Sequence, residues 1–459
     1  MFFPKSAGVF CIQRKNDVDY RDDKKNKESE MKKISWNNSN DQAALQALYD
    51  RPGYPPEIEK GVAEILDNVF RRGDQALVEY AEKFDRAKLT PAQFRVTGEE
   101  IAAAAAQLPA SRKKAIRAAV KAVRTFAKLR IPRNWRCSPR PGVMLGEKFT
   151  PMQRVGVYIP GGTAPLVSTV IHTAGIASAA GVKEIVAVTP PGADGKVHPA
   201  VLFAMKCAGV TEIYRLGGVY GIAAMAHGTE SIRKVEKIVG PGNAYVTAAK
   251  KLVYGKVAID MIAGPSEILV IADRTANPAF IAADLLSQAE HGSGLEQAVL
   301  VTDDPSLPDR VEAEVLRQKA TLPRIETVDR VLDKGVFLIT VENMDQAAKL
   351  ATDYAPEHLE IITENPEAVA RNIHAAGAIF LGPWTPEPVG DFCAGPSHVL
   401  PTAGSAKYFH GLEVGAFFRR SSLVRYSQKA INAEIPIIEA FAAMEGLDAH
   451  GRSGSIRRS

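Results

Sequence analysis

Cysteine and long apolar runs are scarce in this 459-residue chain. The four cysteines, Cys11, Cys137, Cys207 and Cys393, lie far apart and form no CxxC pair. This spacing offers no disulfide framework and fits a reducing compartment, so we expect a cytoplasmic protein. No apolar run reaches the roughly 18 residues of a transmembrane helix, so we expect no membrane insertion.

A strong excess of charge is also missing. The formal net charge is +5, and Lys and Arg are spread along the chain rather than clustered. Because no zinc-finger or RNA-binding signature is present either, we do not expect nucleic acid as a partner. An apolar fraction of 46% is that of an ordinary globular protein.

The first thirty residues differ from the rest of the chain. Residues 1–7 are weakly apolar, and residues 14–33 are almost wholly polar with mixed charges. The apolar part is too short for a signal peptide, and the acidic residues argue against a transit peptide. We therefore expect residues 1–30 to be a disordered extension.

The remaining sequence predicts an α/β fold. Helical periodicity spans residues 55–84 and 102–129. Four strand–turn–helix units follow between residues 154 and 252, and a second alternating set begins at Ile268. Such repeats indicate parallel sheets with right-handed crossovers. Beyond Tyr408 the pattern becomes mainly helical.

Gln288 and His291 stand at the end of one predicted helix. Asn277 can cap this helix, Pro278 fits its first position and Gly292 can end it. Residues three apart share a helix face, and both a carboxamide oxygen and an imidazole are possible zinc ligands, although Gln is unusual. An exposed helix end with an ordinary histidine explains the pattern equally simply.

Two glycine turns are typical of ligand-binding edges. Tyr158-Ile-Pro-Gly-Gly162 and Gly240-Pro-Gly-Asn243 each follow a strand and open a helix. Ligands bind at the carboxyl ends of parallel strands, and free helix N–H groups suit phosphate. Neither turn is GxGxxG, so a purely structural role stays open.

Glu357 and His358 form a third candidate, because an acid and an imidazole stand side by side where a strand begins. His is the usual general base near neutral pH, and Glu can activate water. An accidental acid–histidine pair in a loop is the alternative.

The turn-rich segment 388–398 carries Asp391, Cys393 and His398. Loops with such groups often carry function. Asp391 is either a metal ligand or a turn residue, and Cys393 is either an aldehyde-capturing nucleophile or a structural thiol. His450, at the end of the last helix, is otherwise a partner for the helix dipole.

Seven motifs in order resemble the histidinol dehydrogenase family, from about Leu48 to His450. They are Tyr158-Ile-Pro-Gly-Gly162, Gly240-Pro-Gly-Asn243, Ala263-Gly-Pro-Ser266-Glu, Leu286-Ser-Gln288-Ala-Glu-His291, Ala355-Pro-Glu357-His358-Leu, Gly390-Asp391 with His398-Val-Leu-Pro-Thr402, and Leu447-Asp-Ala-His450. The family oxidises L-histidinol to L-histidine in two NAD-dependent steps through an aldehyde.

The resemblance implies a role for each matching residue. It implies one Zn²⁺ per subunit, held by Gln288, His291, Asp391 and His450. It implies that His358 accepts a proton and that Glu357 activates water, a route that needs no thiol from Cys393. The implied substrate contacts are Ser266, Gln288, His291, His358, Asp391, His398, Glu445 and His450. The implied NAD contacts are Tyr158, Tyr220 and Asn243, although the family usually has Gln where Tyr220 stands.

The resemblance also implies two incomplete Rossmann-like domains and a domain-swapped homodimer in which Glu445 and His450 enter the partner's site. We predict a first α/β domain from residues 54–157 and 268–402 and a second from residues 158–267. Residues 31–53 form an N-terminal segment, and residues 403–459 form a helical dimerisation segment.

Three other functions compete with this reading. The nearest is a sister dehydrogenase that acts on another small alcohol, such as a sulfonated diol; Tyr220 and the atypical segment 411–417 leave room for it. A non-catalytic nucleotide-binding protein would have no use for Glu357 beside His358. A zinc hydrolase using Glu357 would leave the glycine turns without a ligand.

Overall fold

The computed structural model describes residues 31–51, 55–161, 165–291 and 293–458. The predicted extension at residues 1–30, with Cys11, lies outside the described residues, as do Gly162 and Gly292 of the predicted turns. No helix among the described residues has the length and apolar character needed to cross a bilayer.

The strands are β1 Lys32–Ser35, β2 Trp135–Arg140, β3 Val143–Pro151, β4 Arg154–Tyr158, β5 Glu184–Val188, β6 Glu212–Tyr214, β7 Lys237–Val239, β8 Ala258–Ile259, β9 Glu267–Ala272, β10 Gln297–Thr302, β11 Val336–Thr340, β12 His358–Ile362, β13 Ala378–Leu381 and β14 Phe418–Tyr426. They form a six-stranded sheet in the order β1-β11-β10-β9-β12-β13, a five-stranded sheet in the order β6-β5-β4-β7-β8, and a three-stranded sheet in the order β14-β3-β2. The first two sheets are parallel and the third is antiparallel. The predicted α/β class with parallel sheets is confirmed.

The helices are α1 Gln42–Tyr49, α2 Ile58–Arg72, α3 Asp74–Asp85, α4 Pro91–Phe94, α5 Gly98–Gln107, α6 Ala110–Leu129, α7 Val167–Ala179, α8 Pro199–Ala208, α9 Gly218–His227, α10 Ala244–Val253, α11 Pro278–Ala289, α12 Leu307–Lys319, α13 Ile325–Leu332, α14 Met344–Tyr354, α15 Pro366–Ala370, α16 Glu387–Val389, α17 Gln428–Glu445 and α18 Asp448–Ser455. A π-helical turn, Gly390–Ala394, continues α16.

Helices cover both faces of the five-stranded sheet. Alternate residues of β4 and β5 point to opposite faces, so the apolar runs of these strands fill two cores. Helices α5 to α8 pack into one core, and α2, α3, α9 and α10 pack into the other. This packing differs from the predicted division, which grouped residues 54–157 with residues 268–402. The helices of residues 58–129 lie on the five-stranded sheet, and β4 pairs with β5 and β7 within it.

The six-stranded sheet is covered in the same way. Helices α11, α12 and α13 pack on one face, and α1, α14 and α15 pack on the other. Strand β1 pairs with β11 at the edge, so the predicted N-terminal segment extends this sheet.

The C-terminal part begins with a strand that the sequence pattern did not predict. Strand β14 pairs with β3 over nine residues and completes a sheet with the β2–β3 hairpin. The prediction of a mainly helical segment was wrong here, because β14 is mostly exposed and lacks a clean apolar alternation. Helices α17 and α18 follow as predicted.

Candidate active site

Three chain segments meet at the amino edge of the six-stranded sheet. A crossover helix runs antiparallel to its strands, so the carboxyl end of α11, with Gln288, reaches the edge where β9 and β12 begin. Asn277 caps α11 by accepting a hydrogen bond from Ala279 N, and Pro278 occupies its first turn, as predicted. The topology of the sheet therefore brings Gln288 close to Glu357 and His358, although it is distant from them in sequence.

The backbone of one residue, Glu267, holds both predicted acid–base residues. The N–H of Glu267 donates to Glu357 Oε2 at 3.0 Å, and the carbonyl oxygen of Glu267 accepts from His358 Nδ1 at 3.0 Å. Because a carbonyl only accepts, Nδ1 carries the imidazole hydrogen and Nε2 is left with its lone pair. His358 is thus oriented to accept a proton at Nε2.

Burial changes the proton affinity of both groups. It lowers the pKa of His358 to about 4, against the opposing charge of Asp391. It raises the pKa of Glu357 well above its ordinary value, although the Glu267 N–H acts in the opposite direction. His358 is therefore neutral at physiological pH, and Glu357 is a stronger base than an exposed carboxylate.

Asp391 lies among four imidazoles. His398 Nδ1 is 3.4 Å from Asp391 Oδ1, and His172 Nε2 lies 2.9 Å from the Asp391 carbonyl oxygen. The rings of His172 and His398 stack with their centroids 4.4 Å apart. Burial alone would raise the pKa of Asp391, but His398, His358 and His291 lower it to about 2. Asp391 is therefore an anion that faces the site.

A cavity of about 500 Å³ opens beside these groups. His358, Asp391 and His398 line it, together with residues of α6, α7 and β13. The cavity therefore lies between the two parallel-sheet units, and its size suits a small-molecule substrate.

Several buried polar atoms at this site lack a partner within the described part of the chain. They are Gln288 Oε1, His358 Nε2, Glu387 Oε1 and His398 Nε2. Buried polar atoms are normally satisfied, so this cluster is suited to binding a cation or a polar substrate. The donor set of imidazole, carboxylate and carboxamide is compatible with Zn²⁺.

The structure brings together only part of the predicted ligand set. Gln288 Nε2 lies 3.5 Å from His291 Nδ1, and His291 is one of the groups that lower the pKa of Asp391. The tightest group of possible ligands is instead His358, Glu387 and Asp391, whose ligand atoms all lie within 4.8 Å of one another. His450 is exposed and does not line the cavity.

Glu387 was not predicted as a site residue. Its Oε1 lies 3.8 Å from His358 Nε2, and burial and Asp391 raise its pKa to about 8. Glu387 opens the short α16, and no local motif distinguishes it from an ordinary first-turn acid. Only the spatial neighbourhood of His358 and Asp391 reveals it.

The remaining predicted substrate and nucleophile residues are less central. Ser266 is half-buried directly before β9, and Glu445 is exposed at the end of α17. Cys393 is exposed, donates to the Val389 carbonyl at 3.5 Å and does not line the cavity. These positions give no support to a thiol nucleophile.

The glycine turns lie at the carboxyl edge of the five-stranded sheet, where the strand order reverses between β4 and β7. Gly240 has φ +121°, and a Cβ there would come within 2.3 Å of Tyr158 O. Asp260 accepts from Gly240 N at 2.7 Å, and Lys250 donates to Gly240 O at 2.8 Å. A turn that only glycine can form is thus held rigidly at a topological switch point, where α/β proteins bind ligands.

The predicted cofactor residues occupy this edge in different ways. The exposed Asn243 caps α10 by accepting from Val246 N at 3.1 Å, and the buried Tyr158 hydroxyl accepts from Gly218 N at 3.2 Å. Tyr220 is fully buried, and its hydroxyl donates to Asp85. The Tyr220 side chain therefore contacts Asp85 in the protein interior, and its role as a NAD contact stays a prediction.

Comparisons with known proteins show similarity to one enzyme family. The family model described as histidinol dehydrogenase matches residues 53–458. The histidinol dehydrogenase of Bacillus subtilis (strain 168) is 48% identical over 402 residues, covering 87% of this chain and 93% of its own length. Histidinol dehydrogenase 2 of Trichormus variabilis is 46% identical over 413 residues, covering 90% of this chain and 95% of its own.

A solved structure shows the same similarity in three dimensions. The crystal structure of histidinol dehydrogenase from Elizabethkingia anophelis superposes with a TM-score of 0.88 at 37% identity. The match covers 93% of this chain and 98% of that one.

Proposed function

Because this chain belongs to the histidinol dehydrogenase family, we propose that it oxidises L-histidinol to L-histidine with two molecules of NAD, at the end of histidine biosynthesis. The observation that carries the proposal is the pair of hydrogen bonds made by the Glu267 backbone, which orient His358 at a substrate-sized cavity and fix Glu357 next to it in the chain.

His358 serves the first oxidation. Its Nε2 lone pair, buried and without a partner in the described structure, takes the proton of the substrate hydroxyl as hydride leaves the carbinol carbon. The Nδ1 bond to Glu267 O keeps the ring in the required tautomer. His398 and Asp391 line the same cavity and supply polar contacts to the imidazole and amine of the substrate.

Glu357 serves the second oxidation. An aldehyde has no hydroxyl proton, so water must add before a second hydride can leave. Burial raises the pKa of Glu357, so its carboxylate is suited to take a proton from that water. The Glu267 N–H fixes one carboxylate oxygen and leaves the other available.

Zn²⁺ would be held by Gln288, His291 and Asp391, with His450 of the partner subunit as the fourth ligand. When bound, it would polarise the substrate hydroxyl and anchor the substrate amine and imidazole. NAD would occupy the carboxyl edge of the five-stranded sheet near Tyr158 and Asn243. The buried atoms without partners and the rigid Gly240 turn support these two sites.

A domain-swapped homodimer accounts for the distant residues Glu445 and His450. Both are exposed on the C-terminal arm, which consists of β14, α17 and α18. The large apolar side chains of Phe441 and Met444 on this arm are also exposed. An apolar surface on an extended arm favours burial against a second copy. We assign the reaction to the cytoplasm, in accord with the free thiols of Cys137, Cys207 and Cys393.

One assay tests this function. NADH is measured from L-histidinol, with and without a chelator, and also from a sulfonated diol. We expect about two NADH per histidinol and loss of activity on chelation. Turnover of the diol without turnover of histidinol would move the protein to the sister dehydrogenases.

A further inference from the structure

Arg51 lies far in sequence from every motif of the site. Its Nη1 donates to Glu267 Oε2 at 2.8 Å, and its Nη2 donates to the carbonyl oxygen of Tyr354. The guanidinium also lies 4.0 Å from the centroid of the Tyr354 ring. Both charged side chains are withdrawn from solvent, with 7% of Arg51 and 4% of Glu267 exposed.

One acceptor of Arg51 belongs to the segment that orients the acid–base pair, and the other belongs to the segment that carries it. Glu267 begins β9 and holds Glu357 and His358 through its backbone N–H and carbonyl oxygen. Tyr354 ends α14, three residues before Glu357, and is followed by Ala355 with φ +52°. A non-glycine residue in this left-handed conformation is strained and persists only where its surroundings hold it. Arg51 therefore links the start of β9, which orients Glu357 and His358, to the turn at Ala355 that leads into these two residues.

The Glu267 carboxylate completes this link. Its other oxygen, Oε1, accepts from Ala403 N at 2.9 Å, so both oxygens are engaged. The Tyr354 hydroxyl donates to Gln297 Oε1 at 2.7 Å and fixes the aromatic face beneath Arg51. Removing the guanidinium would leave a buried carboxylate without its cation directly behind the peptide that orients His358.

We propose that Arg51 and Glu267 are positioning residues for the reaction, because their buried ion pair fixes the Glu267 backbone that holds Glu357 and His358. Neither side chain needs to touch the substrate. The inference rests on the proposed function for its kinetic readout, but its structural claim concerns only contacts within this chain.

The kinetic test compares Arg51→Met, Arg51→Lys and the double variant Arg51→Met/Glu267→Gln in the full-length enzyme. We expect Arg51→Met to lower kcat about 100-fold, since small displacements of a catalytic group cost this much. The KM for NAD should stay within about twofold, because that site lies on the other sheet. Arg51→Lys should lose less, since a lysine keeps the charge but lacks the fork needed for both acceptors.

The double variant separates positioning from simple loss of stability. Replacing Glu267 by Gln removes the uncompensated charge, so at least about tenfold of the lost kcat should return. Arg154→Met is the matched control: Arg154 is equally buried in an ion pair with Glu212, at the amino end of β4. It should lower the Tm without lowering kcat.

A folded Arg51→Met enzyme with kcat within about threefold of wild type, or a double variant whose losses simply multiply, would overturn the proposal. If Arg51→Met does not fold, Arg51→Lys and the double variant decide in the same way. An inactive wild type would count against the proposed function alone. The crystal structure of Arg51→Met, or of Arg51→Lys, then decides, and unchanged 3.0 Å contacts from Glu267 to Glu357 and His358 would refute positioning.

Discussion

The chemistry of His358 and Glu357 depends on which of their polar atoms are hydrogen-bonded to the backbone. The Glu267 backbone occupies His358 Nδ1 and Glu357 Oε2, so His358 Nε2 is left buried and without a partner in the described part of the chain. Burial then separates their proton affinities, lowering the pKa of His358 and raising that of Glu357. Two neighbouring residues can therefore serve two different proton transfers.

Glu357→Gln should separate the two oxidations. The amide still accepts from Glu267 N but cannot take a proton from water, so hydration of the aldehyde should slow by at least about 100-fold. The first oxidation depends on His358 and should change far less. Single-turnover NADH formation from L-histidinol and from the aldehyde gives both rates. Equal losses in both steps would remove Glu357 from its assigned role, and His358→Asn is the reference that should impair the first step.

Tyr220→Phe tests whether Tyr220 supports the proposed NAD site through Asp85. The variant removes the hydroxyl donated to half-buried Asp85, whose carboxylate also accepts from Gly217 N, next to the Gly218 N–H that donates to Tyr158. We expect a loss of about 1–2 kcal/mol in unfolding free energy, with a raised KM for NAD and a nearly unchanged kcat. Tyr214→Phe is the control, because its hydroxyl donates to Glu212, two residues earlier on β6, at 2.7 Å. If both variants leave the KM for NAD unchanged, Tyr220 supports only the core.

At the scale of elements, the β7–α10 turn packs so closely against β4 that Gly240 has no room for a side chain. In Gly240→Ala, the new Cβ would clash with Tyr158 O and would also strain a backbone at φ +121°. We expect the KM for NAD to rise about tenfold or more, because the β7–α10 turn can no longer lie against β4. Gly255→Ala is the control: its φ is +94°, but no atom lies within 4 Å of the added Cβ. Titration calorimetry with NAD and thermal unfolding compare the two, and equal NAD affinities would refute a cofactor role for the turn.

Elements were easier to predict from the sequence than their partners. Period-3.6 stripes predicted helices over residues 55–84 and 102–129, and short apolar runs between glycine turns predicted the parallel strands. Neither signal states which sheet a helix covers, so α2 to α6 were grouped with the wrong sheet. Strand β14 was not predicted, because a largely exposed strand needs no apolar alternation.

The same distinction holds within the site. Glu357, His358 and Asp391 stood out because each belongs to a local motif. Arg51 belongs to no motif, and the motif that ends at Glu267 does not reveal its ion pair, which joins residues 216 positions apart. A buried pair of that kind depends on tertiary contacts that no sequence window contains, and the same holds for Glu387 beside His358.

At the scale of the whole molecule, the C-terminal arm leaves large apolar side chains exposed in a single chain. Strand β14, α17 and α18 extend from the β2–β3 hairpin and expose large apolar side chains, with Met444 71% exposed. Within one chain, Glu445 and His450 on this arm do not line the cavity that holds His358 and Asp391. Association of two copies would bury the arm and bring its polar residues to a site.

Subunit mixing distinguishes exchange of the arm from a site completed within one chain. His358→Ala and His450→Ala are each expected to be inactive as homodimers. After joint refolding at equal amounts, half of the dimers are mixed, and arm exchange gives each mixed dimer one intact site, so activity should return to about a quarter of wild type. A site built within one chain contains one of the two lesions in every subunit, and mixing would then restore nothing. Combining both substitutions in the same chain and refolding it with wild type controls for dilution of active subunits, and mass measurement of the mixture verifies that mixed dimers have formed.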